Sequence, residues 1–262
     1  MQSTTNQLLE IAAESVTGAR PDNQDRIAHF DSPFGHVFVL ADGMGGHGGG
    51  GIASHLAVSQ LPEVLRGIPP GEPAQQALTA AIQAVNRRIL EEADAGRGEA
   101  VHGMGTTVAV VLVRDTPDGS LAIGAHVGDS RIYFLRGAQL FCLTRDHTVV
   151  EKLVESGALT PEQAVDHPQA GVLTRALGRS GPLPVDLTAW QLLRPGDIFL
   201  LCSDGLSGYA SGEAIRQTLS SGGAPAIMAR SLVDLAIRQG SQDNISVLVF
   251  RVAASPGLAV ES

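Results

Sequence analysis

The stretch LADGMGGHGGGGIAS, from Leu40 to Ser54, poses a choice between two folds. Gly43, Gly45 and Gly48 match G-x-G-x-x-G between an apolar strand-like run and a helix-like run, which is the placement of a dinucleotide-binding loop. Asp42 stands directly before the first glycine, and a carboxylate there would oppose a pyrophosphate. The loop is therefore built to hold either a phosphate or a metal ion, and the rest of the chain decides between them.

Strands in blocks and helices in pairs are predicted on both sides of this loop. Short β-rich runs precede it, and residues 51–65 and 73–93 carry apolar residues at helical spacing. Residues 105–144 predict a β-meander, and further strands with two more helices close the chain. This order breaks the β-α-β alternation of a nucleotide-binding sheet, and the acidic residue that such a sheet requires, Glu63 at the nearest, falls inside a predicted helix. We predict an α+β fold with a mostly antiparallel β-core and helix pairs outside.

The composition excludes several partners and mechanisms. The chain has 262 residues, a net charge of −9 and no basic stripe, so we expect no nucleic-acid partner. Lys152 is the only lysine, which removes the phosphate-binding lysine of a G-x-x-x-x-G-K-[ST] loop. Cys142 and Cys202 lie in apolar runs and are expected to be buried, reduced thiols. Neither begins the C-x-x-x-x-x-R loop that supports cysteine-based hydrolysis of phosphate esters.

The ends of the chain and its hydropathy predict where the protein works. No basic segment followed by an apolar core opens the sequence, and no apolar run approaches the ~18 residues that cross a bilayer. We therefore expect a soluble, cytoplasmic protein with no membrane partner. We also expect it to be a monomer. We also expect one domain over residues 1–255 and a frayed tail over residues 256–262.

Aspartates stand where the predicted strands begin or end. Each alone is explained as a turn or helix-cap residue. If the sheets bring three of them together, unit charges ~4 Å apart repel by roughly 4 kcal/mol at an effective dielectric constant of ~20, and no lysine is at hand to neutralise them. Oxygen ligands select Mg²⁺ or Mn²⁺ over zinc, and the carbonyl of Gly43 can add a ligand because glycine lets the main chain approach closely. The aspartates are Asp25, Asp42, Asp129, Asp204 and Asp243.

Two such ions would make this a phosphate-ester hydrolase. Held ~3.5–4 Å apart, they lower the pKa of a shared water and produce a hydroxide at neutral pH for in-line attack on phosphorus. The substrate phosphate then needs a planar cation to hold its oxygens. Arg20, in the stretch ARPDNQD, is the candidate because a guanidinium group binds phosphate through two parallel hydrogen bonds.

Eight ordered stretches point to one family. They are RPDNQD, LADGMGGH, MGTT, HVGDSRIY, LTRDHT, LTRALG, LLCSDGL and QDNISVLV, and they run from Arg20 to Val249. In this order and at this spacing they resemble the metal-dependent protein phosphatases of the PPM or PP2C family, in particular the compact bacterial serine/threonine phosphatases. The resemblance implies two central antiparallel sheets with helices on both outer faces, a four-layer αββα architecture, and a two-metal centre at one end.

The resemblance also implies a role for each matching residue. Asp129 matches the ligand that, with Asp204, holds a third and weaker metal, and Arg20 matches the phosphate-binding arginine. Residues from about 145 to 181 resemble the flap beside the active site, which is thought to influence substrate choice. The residues expected to be catalytic are Asp42, Asp204 and Asp243. The residues expected to bind metal are Asp25, Asp42, Gly43, Asp129, Asp204 and Asp243.

A few positions depart from the family pattern. Met44 stands where animal relatives have a histidine that is proposed as general acid, and the nearby His47 is left out of the catalytic set. Residues 48–51 are all glycine, where bacterial relatives often have a glutamate. Gly171 replaces an asparagine found in the flap of many relatives.

Three other functions stay open at this stage. A hydrolase of small phosphate esters could use the same site, and a catalytically silent regulatory domain could retain the fold. A nicotinamide-binding enzyme ranks last, because of the topology and Asp42. The leading hypothesis is a protein serine/threonine phosphatase that acts by attack of a metal-bridging hydroxide. Its expected partners are phosphorylated proteins, among them a cognate Ser/Thr kinase and its targets, and its expected cofactors are two Mn²⁺ or Mg²⁺ ions.

Overall fold

Two antiparallel β-sheets pack face to face in the computed structural model, which describes residues 9–45, 48–95 and 103–253. The strands are β1 (Leu9–Val16), β2 (Asp25–Ser32), β3 (Gly35–Met44), β4 (Gly105–Thr106), β5 (Val108–Thr116), β6 (Gly119–Val127), β7 (Arg131–Arg136), β8 (Gln139–Cys142), β9 (Asp186–Leu187), β10 (Gln191–Leu192), β11 (Ile198–Cys202) and β12 (Ile245–Val252). The helices are α1 (Gly49–Gly67), α2 (Ala74–Ala95), α3 (Val149–Glu155), α4 (Pro161–Val165), α5 (Asp204–Ser207), α6 (Gly212–Ser220) and α7 (Pro225–Arg238).

The sheets differ in which parts of the chain they join. The first has the order β1-β12-β11-β7-β8 and so combines the first described strand with the last. The second has the order β10-β6-β5-β3-β2, with β4 beside β3 and β9 beside β6. Among the described residues every strand pair is antiparallel, which excludes the parallel sheet of a dinucleotide-binding fold.

Side chains that point alternately to the two faces of each strand form three apolar layers. In β3, Phe38 and Leu40 point into the core between the sheets, whereas Val37 and Val39 pack in the layer that includes α1 and α2. Phe250 stacks between Phe38 and Phe199, with ring centroids 4.0 and 4.8 Å away, and so joins the two sheets. Both faces of these strands are therefore buried, which explains why their sequences are continuous apolar runs.

Helices cover both outer faces of the two sheets. One outer layer is formed by α1 and α2, with α1 packed on β2 and β3. The other is formed by α6 and α7, with α7 packed on β1 and β12. The predicted α+β, four-layer αββα architecture is confirmed by these contacts.

The meander predicted over residues 105–144 is wrong at its midpoint. Strands β5 and β6 pair in the second sheet, but β7 and β8 pair in the first. The chain crosses between the sheets after β6, at the sequence GDS of residues 128–130. Gly128 has φ of 107°, a conformation that glycine adopts without strain, and this lets the chain turn out of one sheet into the other.

The prediction for the two cysteines is half right. Cys202 is buried in the interior strand β11, but Cys142 is exposed. The physical reason is position, because β8 is the edge strand of its sheet and three of its four residues are exposed. An apolar run at a sheet edge does not guarantee burial.

The stretch between β8 and β9 contains only the short helices α3 and α4, as its loose sequence pattern predicts. The tail predicted over residues 256–262 lies outside the described residues. Within the described part of the chain, no helix combines the length and the apolar character that a membrane span requires.

Candidate metal centre

The five sequence-predicted aspartates lie at the same end of the sandwich, carried by both sheets. Asp25 and Asp42 are opposite each other at a paired position of β2 and β3. Asp129 follows β6, Asp204 follows β11 as the first residue of α5, and Asp243 precedes β12. Antiparallel pairing places these strand ends at the same end of each sheet. Face-to-face packing of the two sheets then brings these two ends together.

A cavity of about 560 Å³ opens between these aspartates. Asp25 lies deeper than the others and is 2% exposed. The remaining predicted site residues line the cavity: Arg20, Asp42, Gly43, Asp129, Asp204 and Asp243. All of the predicted site residues therefore belong to one location, although they span most of the sequence.

The carboxyl groups of this site destabilise one another's charged forms. Burial, followed by repulsion from Asp25, Asp204 and Asp129, raises the pKa of Asp42 well above its usual range. Burial and the charge of Asp204 raise the pKa of Asp129 to about 8. Burial and the charge of Asp243 raise the pKa of Asp204 to about 6. Such a cluster needs a positive charge within it to be ionised at neutral pH.

The protein itself supplies little of that charge. Arg20 donates a hydrogen bond from Nη2 to Asp243 Oδ2 at 2.7 Å, and this contact raises the pKa of the guanidinium. Asp25 Oδ1 is buried and has no hydrogen-bond partner among the described residues. A buried carboxylate oxygen without a donor, surrounded by other carboxylates, suits a hard divalent cation such as Mg²⁺ or Mn²⁺. The donor set therefore fits the predicted metals.

The MGTT stretch holds the main chain of Asp42 from both sides. The backbone N–H of Asp42 donates to Thr107 Oγ1 at 3.0 Å, and its carbonyl oxygen accepts from Thr106 Oγ1 at 2.8 Å and from the Thr107 N–H at 2.8 Å. Thr107 is fixed in turn by Ser130 Oγ at 2.6 Å, next to Asp129. These buried hydroxyls fix the direction in which the Asp42 carboxylate leaves the strand.

Ser203 supports the deepest carboxylate, and sequence analysis missed it. Its Oγ donates to Asp25 Oδ2 at 2.9 Å and accepts from the N–H of Ser246 at 3.0 Å. Ser203 is fully buried, so it joins the end of β11 to the start of β2 across the two sheets. The available signal was a serine directly before Asp204 at the end of an apolar run, which also suits a helix cap.

Asn244 is the second supporting residue that sequence analysis missed. Its Nδ2 donates to the carbonyls of Thr17 and Asp22 at 2.8 and 2.9 Å, and its Oδ1 accepts from the N–H of Gln24 at 2.8 Å. Its own N–H donates to Asp243 Oδ1 at 2.8 Å. One buried amide therefore ties the loop that carries Arg20 to the strand that presents Asp243.

Gly43 is required by packing as well as by any metal. A Cβ at this position would overlap the carbonyl of Gly50 and lie 2.6 Å from the carbonyl oxygen of Gln24. The start of α1 therefore lies against the main chain of β3, and only glycine at 43 permits this approach. Met44 and Gly171, two of the positions that depart from the family pattern, line the cavity, whereas His47 lies outside the described residues.

A second group has residue types typical of a metal site. Hydrogen bonds occupy His147 and Asp186 in it, whereas the buried His126 Nδ1 has no hydrogen-bond partner among the described residues. The candidate ligand atoms of His126, His147 and Asp186 lie within 4.8 Å of one another. His147 Nδ1 accepts from the N–H of Gly128 at 3.0 Å, so its proton is on Nε2, 3.1 Å from Asp186 Oδ2. Arg175 also binds Asp186 at 2.5 Å, and burial lowers the pKa of His147 to about 4. Neutral His147 thus links the loop after β6 to Asp186 of β9.

Comparison with known proteins agrees with this geometry. Residues 18–235 match the family model described as protein phosphatase 2C, which covers most of the chain. The chain belongs to this family. It is 38% identical to protein phosphatase PhpP of Streptococcus pneumoniae, over 87% of this chain and 91% of that protein.

Solved structures give the same result. The serine/threonine phosphatase of S. agalactiae superposes with a TM-score of 0.84 at 34% identity, over 94% of this chain and all of that one. The catalytic domain of the serine/threonine protein phosphatase PstP, solved in complex with two manganese ions, superposes with a TM-score of 0.79 at 35% identity, over 94% of this chain and 99% of that one. The sequence-based family assignment is confirmed.

Proposed function

We propose that this chain is a metal-dependent protein phosphatase that hydrolyses phosphoserine and phosphothreonine in other proteins. The observation that carries the proposal is one cavity lined by Arg20 and by four of the five predicted aspartates, with the fifth, Asp25, buried beneath them. The family relationship supports the same activity, since PhpP and PstP are protein phosphatases. The intact set of mutually repelling carboxylates argues against a catalytically silent domain, which would have no use for them.

The proposed metal-holding residues follow from their place around the cavity. Asp25, Asp42, Asp204 and Asp243 would hold two ions together with the carbonyl of Gly43, and Asp129 with Asp204 would hold a third, weaker one. The group present in the PstP structure is manganese, and oxygen donors also suit Mg²⁺. When bound, such ions neutralise phosphate charge and acidify water for attack on phosphorus.

The chain's own residues position the substrate. Arg20 is exposed and borders the cavity, so its guanidinium can bind two phosphate oxygens while its link to Asp243 keeps it over the site. The Thr106 and Thr107 hydroxyls, Ser203 and Asn244 keep the carboxylates in place, which reduces the reorganisation that the reaction requires. Neither Cys142 nor Cys202 lines the cavity, so a cysteine nucleophile is not part of the proposal.

The cellular setting is inferred from the same chemistry. We infer that a Ser/Thr kinase produces the phosphoproteins on which this enzyme acts, and that the kinase itself is among its substrates. We further propose a cytoplasmic monomer in which residues 1–255 form one phosphatase domain with a flap at about 145–181.

Replacement of Asp204 by asparagine tests the catalytic proposal. We expect wild-type protein to hydrolyse an aryl phosphate and a phosphothreonine peptide with Mn²⁺ or Mg²⁺, and we expect Asp204→Asn to lose at least ~100-fold in kcat, as when a catalytic electrostatic group is removed. Calorimetric titration with Mn²⁺ should show weaker binding in the variant, which is a readout independent of turnover. Asp94→Asn, at an exposed position near the end of α2, is the matched control.

Two results would contradict the proposal. Full activity of the wild type in excess chelator would exclude metal dependence, and unaltered Mn²⁺ binding by Asp204→Asn would exclude Asp204 as a ligand. A strong preference for small esters over phosphopeptides would favour a small-molecule phosphatase.

A further inference from the structure

A second cavity lies beside the metal centre, between the flap stretch and the end of α5. We name it the flap cavity, and its volume is about 580 Å³. Its flap side is formed by residues of α3 and α4 and of the loop after them, and its other side by the end of α5 and Tyr209. The apolar residues that line it are Val150, Val154, Pro161, Ala164, Val165, Ala170 and Tyr209.

The flap cavity is continuous with the metal-centre cavity. Four residues line both: Asp129, Gly171, Asp204 and Asp243. A chain that presents a phosphate to Arg20 and the aspartates therefore has a direct path into the flap cavity. An extended chain advances ~3.3–3.6 Å per residue, so a side chain within three positions of the phosphorylated residue can reach it.

The charged groups away from the shared end are already paired within the protein. Arg131 donates from Nε and Nη2 to Asp146, with the shortest contact at 2.7 Å. Glu151 forms an ion pair with Arg145 at 3.3 Å. A ligand group in this part of the cavity therefore meets aliphatic and aromatic surface and not a free charge.

Two of the lining side chains are hydrophobic and yet exposed to solvent. Val165 is 71% exposed and Tyr209 is 40% exposed, and neither contributes to the metal centre. Exposed apolar surface that adjoins a binding site is typical of a recognition surface, and tyrosine serves this purpose often because it combines an apolar ring with a polar tip.

We propose that the flap cavity binds an apolar side chain of the phosphoprotein substrate, located within three residues of the phosphorylated serine or threonine. This inference rests on the proposed function, because it identifies which part of a protein substrate enters the space beside the metal centre. The occupant is the substrate segment and not a separate ligand, because the cavity shares its mouth with the site that receives the phosphate.

Phosphopeptides with a single variable residue test this proposal. The set consists of phosphothreonine peptides of equal length in an alanine and glycine background, with leucine or serine placed in turn at each of the three positions on either side. With Mn²⁺, we expect leucine at one or two of these positions to raise kcat/KM by about 10-fold over serine, through KM, as expected when an apolar side chain is partly buried.

Two variants on different walls identify the cavity as the origin of this preference. We expect Val165→Asp on the flap and Tyr209→Ser beyond α5 each to bring the leucine-to-serine ratio of kcat/KM close to one. Since each ratio is measured within one variant, a change in the amount of folded protein cancels. The matched control is Ile227→Asp, which places the same charge at an exposed aliphatic position, 58% exposed, that lines neither cavity. This variant should keep the wild-type ratio.

The outcomes separate this inference from the proposed function. Equal hydrolysis of leucine and serine peptides by the wild type at every position would overturn the inference and leave the phosphatase proposal intact. A leucine preference that survives in both wall variants would also overturn it. Hydrolysis of neither peptides nor aryl phosphate by the wild type with Mn²⁺ would overturn the proposed function itself.

Discussion

Asn244 shows how a single buried side chain organises a site without contacting its substrate. Its side chain makes three hydrogen bonds to the segment between β1 and β2, and its backbone N–H bonds the carboxylate of Asp243. The amide is needed because it donates and accepts at the same time, which neither a carboxylate nor an aliphatic group can do. Arg20 and Asp243 therefore keep their relative position through Asn244.

Replacement of Asn244 by aspartate should destabilise the protein and weaken its metal binding. The two carbonyls of Thr17 and Asp22 lose their donor and then face a carboxylate, so we expect a loss of roughly 1–3 kcal/mol in the free energy of unfolding. Denaturant titration measures this loss, and calorimetry measures Mn²⁺ affinity.

The control for this substitution introduces the same charge nearby. Gln242→Glu changes an exposed amide to a carboxylate two positions earlier and should alter stability by no more than about 0.5 kcal/mol. If both variants behave alike, then added charge and not the lost hydrogen bonds explains the effect.

At the scale of the element, the four-residue helix α5 positions Asp204 at the cavity. It begins at Asp204, separated from β11 only by Ser203, and it packs against the start of β12. Gly205 makes this possible, because a Cβ there would overlap the carbonyl oxygen of Asn244. The close approach brings Asp204 and Asp243 to the same cavity.

Substitution of Gly205 by alanine should therefore separate these two elements. We expect a destabilisation of roughly 1–3 kcal/mol, typical of overpacking, and a loss of metal-dependent activity. Gly212→Ala is the control, since a Cβ at this position in the first turn of α6 meets nothing within 4 Å. It should stabilise slightly, because alanine restricts the unfolded chain. Thermal unfolding and phosphatase assays distinguish the two, and equal effects would rule out the proposed clash.

At the scale of the whole molecule, the β-sandwich places its acidic groups where their ionised forms are destabilised. The three apolar layers fix the strand ends, and the carboxylates at those ends cannot move apart to relieve their repulsion. Burial, followed by this repulsion, raises the pKa of Asp204 to about 6 and the pKa of Asp129 to about 8. Stability without metal must then depend on pH.

The metal-free protein should become less stable as pH rises from about 7.5 to 9, through the raised pKa of Asp129 and above the range in which the histidines of the unfolded chain release their protons. In this window an unfolded chain has already released its carboxyl protons, whereas folded Asp129 is still partly protonated. The folded state therefore binds more protons, and the free energy of unfolding falls with pH. Melting temperatures in chelator measure the trend, and Asp129→Asn should flatten it. A melting temperature that increases across this window would contradict the assignment of these shifts.

Bound metal should offset the destabilisation that the buried, mutually repelling carboxylates cause in the folded protein. Mn²⁺ at ~100 times its Kd stabilises a folded protein by about 2.7 kcal/mol, which corresponds to roughly 5–10 °C in melting temperature for a chain of this size. We expect the gain to be larger at pH 8 than at pH 6.5, because protons compete with the ion for the same oxygens at lower pH.

Prediction from sequence was strongest where a residue's chemistry leaves few alternatives. The aspartates stand at the ends of continuous apolar runs, and this placement, together with the absence of a nearby lysine, indicated a cation site. Ser203 and Asn244 were missed because short polar residues at strand ends are also the usual residues of turns and caps. Cys142 was assigned to the interior because the pattern of an edge strand resembles that of a central one.

The sequence by itself determined the elements, the family and the residue types of the candidate site. The tertiary structure decided which strands share a sheet, how Ser203 and Asn244 brace the carboxylates, and that a second cavity adjoins the first. The reason is that periodicity reports only whether a face is buried, and strands such as β3 and β5 are buried on both faces. Their partners are chosen by contacts between residues far apart in the chain, which no local pattern records.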